Sequence, residues 1–218
     1  MNTKFLPKNI FVMGPPRSGK STLIMSISKE LLDKGIQVGG IICPEIRIGG
    51  RRWGFKVIVY PGGPEEILAS ITIKSPHRVS KYGVNVQGFE KIVEDHLNKM
   101  LTDPKTKVLL IDEIGKMELL SKKFEEFVKK ALNTQKPIIG VIGRVNHPLI
   151  LTIQKRKDTK IYTITRGTTT TQKQRIKQQI LNTILEYLKR TNKATNNKTT
   201  KPTNKPQKQT FKIHKHNN

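Results

Sequence analysis

The octapeptide GPPRSGKS, comprising Gly14, Pro15, Pro16, Arg17, Ser18, Gly19, Lys20 and Ser21, has the spacing G-x-x-x-x-G-K-[ST]. That pattern suits a loop that curls around phosphate with its backbone N–H groups pointing inward, and Gly14 and Gly19 permit the close approach. Lys20 is then placed to reach β- and γ-phosphates and Ser21 to hold Mg2+, while the N-terminus of a following helix adds a favourable dipole.

A second constellation lies about ninety residues on. In VLLIDEIGKMELLSKKF the apolar run through Leu109, Leu110 and Ile111 ends in Asp112 and Glu113, followed by Ile114, Gly115 and Lys116. A strand of this kind, expected to lie beside the one that precedes the loop, would present Asp112 to the Mg2+ shell. Glu113, one residue further, is placed to polarise a water in line with a γ-phosphate, which favours hydrolysis over transfer to an acceptor. The bland alternative for Glu113 is a salt bridge to a lysine. Arg47, Arg51 and Arg52 flank a glycine pair in IRIGGRRWGF; an arginine there could meet the charge that develops on a transferring phosphate, so Arg51 and Arg52 join Lys20 and Glu113 as catalytic candidates. The same glycine pair also reads as a plain hairpin turn, with Trp53 packed against it. Lys116 either touches phosphate or steadies the loop. Cys43 reads as a small core residue and His147 as structural, and His214 with His216 make no metal site without further ligands.

The elements that must position these groups are legible in outline. NIFVMG is a short buried strand before the loop, and KSTLIMSISKELLDKG is a helix with Leu23, Ile24, Ile27, Leu31 and Leu32 on one face and Gly35 at its end. VGGIICPE, GFKVIVY and KYGVNV read as strands, with PEEILASI as a short helix between the last two. GFEKIVEDHLNKML and SKKFEEFVKKALN read as helices, the second capped by Ser121. PIIGVIG and KIYTIT are strands, and TQKQRIKQQILNTILEYLKR is a long helix. Alternating strands and helices, with strands apolar throughout, predict an α/β fold with a mostly parallel sheet covered on both faces.

The chain has 218 residues, with a formal net charge of +25. Residues 191–218 hold seven lysines, no acid and almost no apolar side chain, and read as a disordered basic tail after a domain of residues 1–190. That domain keeps 34 basic against 16 acidic side chains, which suits an anionic partner: nucleotide, nucleic acid or acidic membrane surface. A single cysteine excludes an internal disulfide or a cysteine metal cluster. No apolar run is long enough to cross a bilayer and no signal peptide is evident, so the expectation is a cytoplasmic protein, acting as a monomer.

GPPRSGKSTL, GGIICPEIRIGGRRWGFKVI and LLIDEIGKMELLSKKFEEFV, in that order, resemble the nucleoside-triphosphatase family first described in thermophiles, which includes the cancer-related nucleoside-triphosphatases. The resemblance spans residues 8–188. It implies a P-loop NTPase, a RecA-like three-layer sandwich with a β-hairpin insertion, that hydrolyses ATP, GTP and other triphosphates with Mg2+ and broad base specificity. Carried over by position, its nucleotide-binding segments, the Walker A and Walker B motifs, fall on Gly14–Ser21 and Leu109–Lys116. Two positions depart from it: Arg17, where the family usually has glycine and where a bulky L-residue tolerates positive φ poorly, so that either the loop keeps a permitted angle or its grip on phosphate is altered, and TITRGTTTT, where the family tends to have an Asn-Arg pair and Arg166 is a candidate substitute. Two rival readings stand beside hydrolysis: a nucleotide or nucleoside kinase, and a nucleic-acid-binding protein switched by ATP through its basic surface and tail.

Overall fold

A computed structural model describes residues 5–199, with side chains described through Lys193. β1 (Asn9–Met13) runs apolar into the glycine loop, and α1 (Lys20–Asp33) follows it, ending just before Gly35 at φ +75°. After β2 (Val38–Ile42), β3 (Glu45–Ile48) and β4 (Arg51–Tyr60) form a hairpin across Gly49 and Gly50, whose φ values of +54° and +75° belong to the type I′ turn that matches strand twist. β5 (Glu65–Ser70), β6 (Arg78–Val79) and β7 (Tyr82–Val84) continue the antiparallel run. α2 (Val86–Ile92), a π turn at Val93–Leu97 and α3 (Asn98–Thr102) make one helical stretch, capped by Asn85, whose Oδ1 accepts from the Gly88 N–H at 3.0 Å. β8 (Val108–Ile114) leads through a 3-10 turn at Glu118–Leu120 into α4 (Lys122–Asn133), then β9 (Ile138–Ile142), α5 (Pro148–Lys155), β10 (Thr159–Thr163) and α6 (Thr170–Thr199).

The strands form one sheet in the order β10-β1-β9-β8-β2-β4-β5-β7-β6, with β3 paired to the edge of β4. From β10 to β2 every pair is parallel; from β2 outward every pair is antiparallel. Alternation along β1 shows the layering: Ile10 and Val12 pack with Leu23, Ile27, Leu31, Ile180 and Ile184 of α1 and α6, while Phe11 joins Phe124, Phe127, Leu149 and Ile153 on the opposite face. A parallel strand buried on both faces is apolar at every position, as these sequences are. No described helix is long and apolar enough to cross a membrane.

Three expectations are corrected. PEEILASI is not a helix but contains β5, because β4, ten residues long, would otherwise expose an unpaired edge, and pairing with it overrides the helix preference of Glu, Leu and Ala. β8 does not lie beside β1: β9 intervenes, paired in parallel with both. The stretch read as a disordered tail begins as helix, since α6 continues to Thr199; the rest of it, residues 200–218 with His214 and His216, lies outside the described residues.

Candidate active site

The carboxyl ends of β1, β9 and β8 open on one edge of the parallel half, where α/β sheets place their ligands. β1 leads directly into the loop. A Cβ on Gly14 would lie 2.1 Å from the Ile164 carbonyl oxygen, so only glycine lets the loop pass the end of β10. Gly19 takes φ +90° and precedes α1, and no side chain caps that helix. Its first N–H groups, which have no partner within the helix, are left for a ligand at the loop. Arg17 does adopt a left-handed angle, φ +61°, so the loop keeps the glycine-like backbone and Arg17 carries the steric cost.

Lys20 Nζ donates to the Pro15 carbonyl oxygen at 3.0 Å, which folds its ammonium back over the loop. Ser21 Oγ donates to Asp112 Oδ1 at 3.1 Å, which links the loop to the end of β8. That pair offers two hard oxygens, one of them anionic and only 5% exposed, a donor set that fits Mg2+.

Adjacent residues of a regular strand face opposite sides of the sheet, so Asp112 and Glu113 should not share a site. They do, because the β8–β9 register slips between Ile111, opposite Gly140, and Ile114, opposite Ile142. The extra residue is a β-bulge, a device that re-aims side chains. Both acids consequently line one cavity of about 370 Å³ together with Lys20 and Ser21.

Burial raises the pKa of all three acids around this bulge. Desolvation pushes Asp112 up to about 6, against the hydrogen bond from Ser21, and raises Glu113 against the pull of Lys20. Glu118, 5% exposed and close to Glu113, is pushed up to about 8, mainly by burial. A neutral Glu118 still accepts the Gly115 N–H through Oε2 at 3.1 Å.

Other sequence candidates separate into those on the cavity wall and those behind it. Gly14, Pro15, Pro16, Arg52 and Lys116 line the cavity; Arg17, Ser18 and Gly19 belong to the loop without facing it. Leu109, Leu110, Ile111 and Ile114 are buried in the core behind the cavity wall, and Gly115 lies against Glu113 and Glu118. Arg51 is not on the cavity wall: it is exposed at the start of β4, where alternation turns it away from Arg52. Arg47 and Arg52 both bind Glu45, and the Arg52 guanidinium also lies over the Phe55 ring, 5.4 Å from its centroid. Arg166 Nε donates to the Pro16 carbonyl oxygen at 3.4 Å, beside the loop. His147 caps α5 through Nδ1, and Trp53 borders a shallow groove on the antiparallel extension.

Sequence reasoning missed several residues on the wall: Phe55, Val79, Met117, Glu118, Gly143, Arg144 and Val145. Cys43, read as core, also lines it, and burial pushes its thiol pKa well up. Glu118 and Met117 fall inside the acidic stretch already singled out. The others reach the site through strand order, for which the sequence carries no signal.

Comparison with known proteins gives a consistent result. The family model described as NTPase matches residues 9–185. Nucleoside-triphosphatase THEP1 of Methanothermobacter thermautotrophicus is 36% identical over 156 residues, covering 71% of this chain and 86% of that protein. The cancer-related nucleoside-triphosphatase homolog of Mus musculus is 36% identical over 173 residues, covering 74% and 90%. Among solved structures, the crystal structure of THEP1 from Aquifex aeolicus superposes with a TM-score of 0.62 at 31% identity, covering 77% of this chain and 96% of that one. The solution structure of a human cancer-related nucleoside triphosphatase gives 0.65 at 32% identity, covering 80% and 96%.

Proposed function

The chain belongs to the NTPase family and is a nucleoside-triphosphatase, and from that premise we propose that it hydrolyses ATP, GTP and other nucleoside triphosphates to the diphosphate and phosphate in the cavity between the phosphate loop and the end of β8. One observation carries the reading: the bulge in β8 turns Asp112 and Glu113 into the same cavity as Lys20 and Ser21. The relatives' names specify a nucleoside triphosphate and no single base, which supports breadth over bases.

In this reading the backbone N–H groups of the loop and the start of α1 bind the phosphates, and Lys20 leaves the Pro15 carbonyl for the β- and γ-oxygens. Ser21 and Asp112 are the residues that would hold Mg2+, which would supply positive charge against the phosphate oxygens. Glu113 orients a water in line with the γ-phosphate and takes its proton as the new P–O bond forms and the bond from the γ-phosphorus to the β–γ bridging oxygen breaks, so that the nucleoside diphosphate leaves with that oxygen's electron pair. Burial keeps the Glu113 carboxylate desolvated and raises its basicity, which Lys20 moderates. Arg52, held by Glu45, contributes positive potential on the far wall.

Phosphate release from ATP, GTP, CTP and UTP, with Mg2+ and with excess EDTA, tests the proposal. Release from all four that EDTA abolishes is the expected result. Absence of release from every triphosphate, or release indifferent to EDTA, would contradict it.

A further inference from the structure

We propose that Arg144 is a catalytic residue that meets the charge developing on the γ-phosphate, a role the sequence pattern assigns to Arg51 or Arg52; this rests on the hydrolytic reading of the same cavity. β9 lies between the strand that delivers the phosphate loop and the strand that delivers the acids, parallel to both. In register, Ile142 at its end is level with Met13 on one side and Ile114 on the other. Whatever follows Ile142 therefore emerges between Lys20 and Glu113, where a γ-phosphate must sit if the loop holds its β-phosphate and Glu113 holds the water.

The backbone there is fixed. Gly143 donates its N–H to the Ile114 carbonyl oxygen at 2.9 Å, and a Cβ on Gly143 would lie 3.3 Å from Glu113 Oε1. The Val145 N–H closes a three-residue turn onto the Gly143 carbonyl oxygen at 3.0 Å, with Arg144 at its apex. Gly143, Arg144 and Val145 all line the cavity. Neighbouring strands are spaced about 4.8 Å apart, within the reach of an extended arginine from β9 to the space above either neighbour.

Arg144 also has no anionic partner among the described residues. No hydrogen bond or ion pair engages it among the described residues. Its rivals are occupied: Arg47 and Arg52 share Glu45, Arg166 rests on the Pro16 carbonyl, and Arg51 is outside the cavity. A guanidinium facing the cavity without a carboxylate partner is free to bind an anion there, and its planar fork suits the equatorial oxygens of a phosphoryl group in flight.

The test compares wild type, Arg144→Ala, Arg144→Lys and Arg52→Ala in phosphate release and in binding of two probes: a non-hydrolysable triphosphate analogue and the diphosphate with aluminium fluoride, each with Mg2+. For Arg144→Ala, kcat is expected to fall about 10²–10³-fold, with affinity for the fluoroaluminate complex falling in parallel and affinity for the triphosphate analogue changing by less than about threefold. Arg144→Lys should recover only part of the loss, because an ammonium lacks the fork. Arg52→Ala should cost less than Arg144→Ala. The proposal is overturned if Arg144→Ala keeps kcat within about threefold of wild type, or if both probes weaken equally, which marks uniform binding rather than transition-state stabilisation. Should Arg144→Ala fail to fold, Arg144→Lys decides by the same two ratios. Wild type that releases no phosphate would defeat the hydrolytic reading itself, and this proposal with it.

Discussion

A Cβ on Gly115 would lie 2.5 Å from Glu113 Oε1 and 2.9 Å from Glu118 Oε2, so the residue after β8 must be the smallest one for these two carboxyls to stand so close. The consequence is a cluster of acids whose protonation is coupled to the fold. Glu118 is moved from the ordinary value of 4.5 up to about 8, chiefly by burial, so the folded state holds a proton that the unfolded chain releases. Its contribution is fully present below pH 4.5 and is lost as pH rises through 8. Stability should fall across that window with a slope of up to about 1.4 kcal/mol per pH unit from this group. Glu118→Gln keeps an acceptor for the Gly115 N–H and has no proton to lose, so its urea midpoint should gain on wild type steadily from pH 5 to pH 8. Parallel curves for the two proteins would show that Glu118 does not titrate as described. At this scale Lys20, Ser21 and Asp112 were readable because a contiguous loop and an apolar run ending in acid carry their meaning locally. Gly115 and Glu118 were visible in sequence but unexplained, since their reason is a packing distance across a turn.

The elements were mostly legible where local chemistry decides them. Ser121 caps α4 as its sequence suggests, its Oγ accepting from the Phe124 N–H at 3.0 Å, and the glycine pair turns the β3–β4 hairpin. They were not legible where a neighbour decides. β5 became a strand because β4 needed a partner, and the bulge in β8 exists only relative to the register of β9. The phosphate loop lies between these cases: its course is set by Gly14 and Gly19, yet Arg17 holds φ +61° where a Cβ is unfavourable. Arg17→Gly should therefore stabilise the protein, by up to about 1 kcal/mol after the greater chain entropy of glycine is subtracted. A urea titration checks this. An equal loss of stability would mean that the Arg17 side chain supports the loop rather than straining it.

For the whole molecule, the parallel half and the antiparallel half divide the labour. β10-β1-β9-β8-β2, clamped between α1 and α6 on one face and the helices from α2 to α5 on the other, fixes the loop and the acids on rigid strand ends. The antiparallel extension brings Arg52, Phe55 and Val79 over the same cavity. Layering of this kind follows from alternating apolar strands and helices, so the fold class could be read from the sequence. Strand order could not, and with it went the position of β9 and of Arg144, because which strand lies between two others is decided by contacts remote in the chain. Hydrolysis with Glu113 as the base, in a cavity built by that order, is the central proposal. Its most direct test is Glu113→Gln, with phosphate release and triphosphate binding measured on the same preparation. Turnover should fall about 10²–10⁴-fold while triphosphate affinity is kept. Phosphate release at the wild-type rate by that variant would contradict the account.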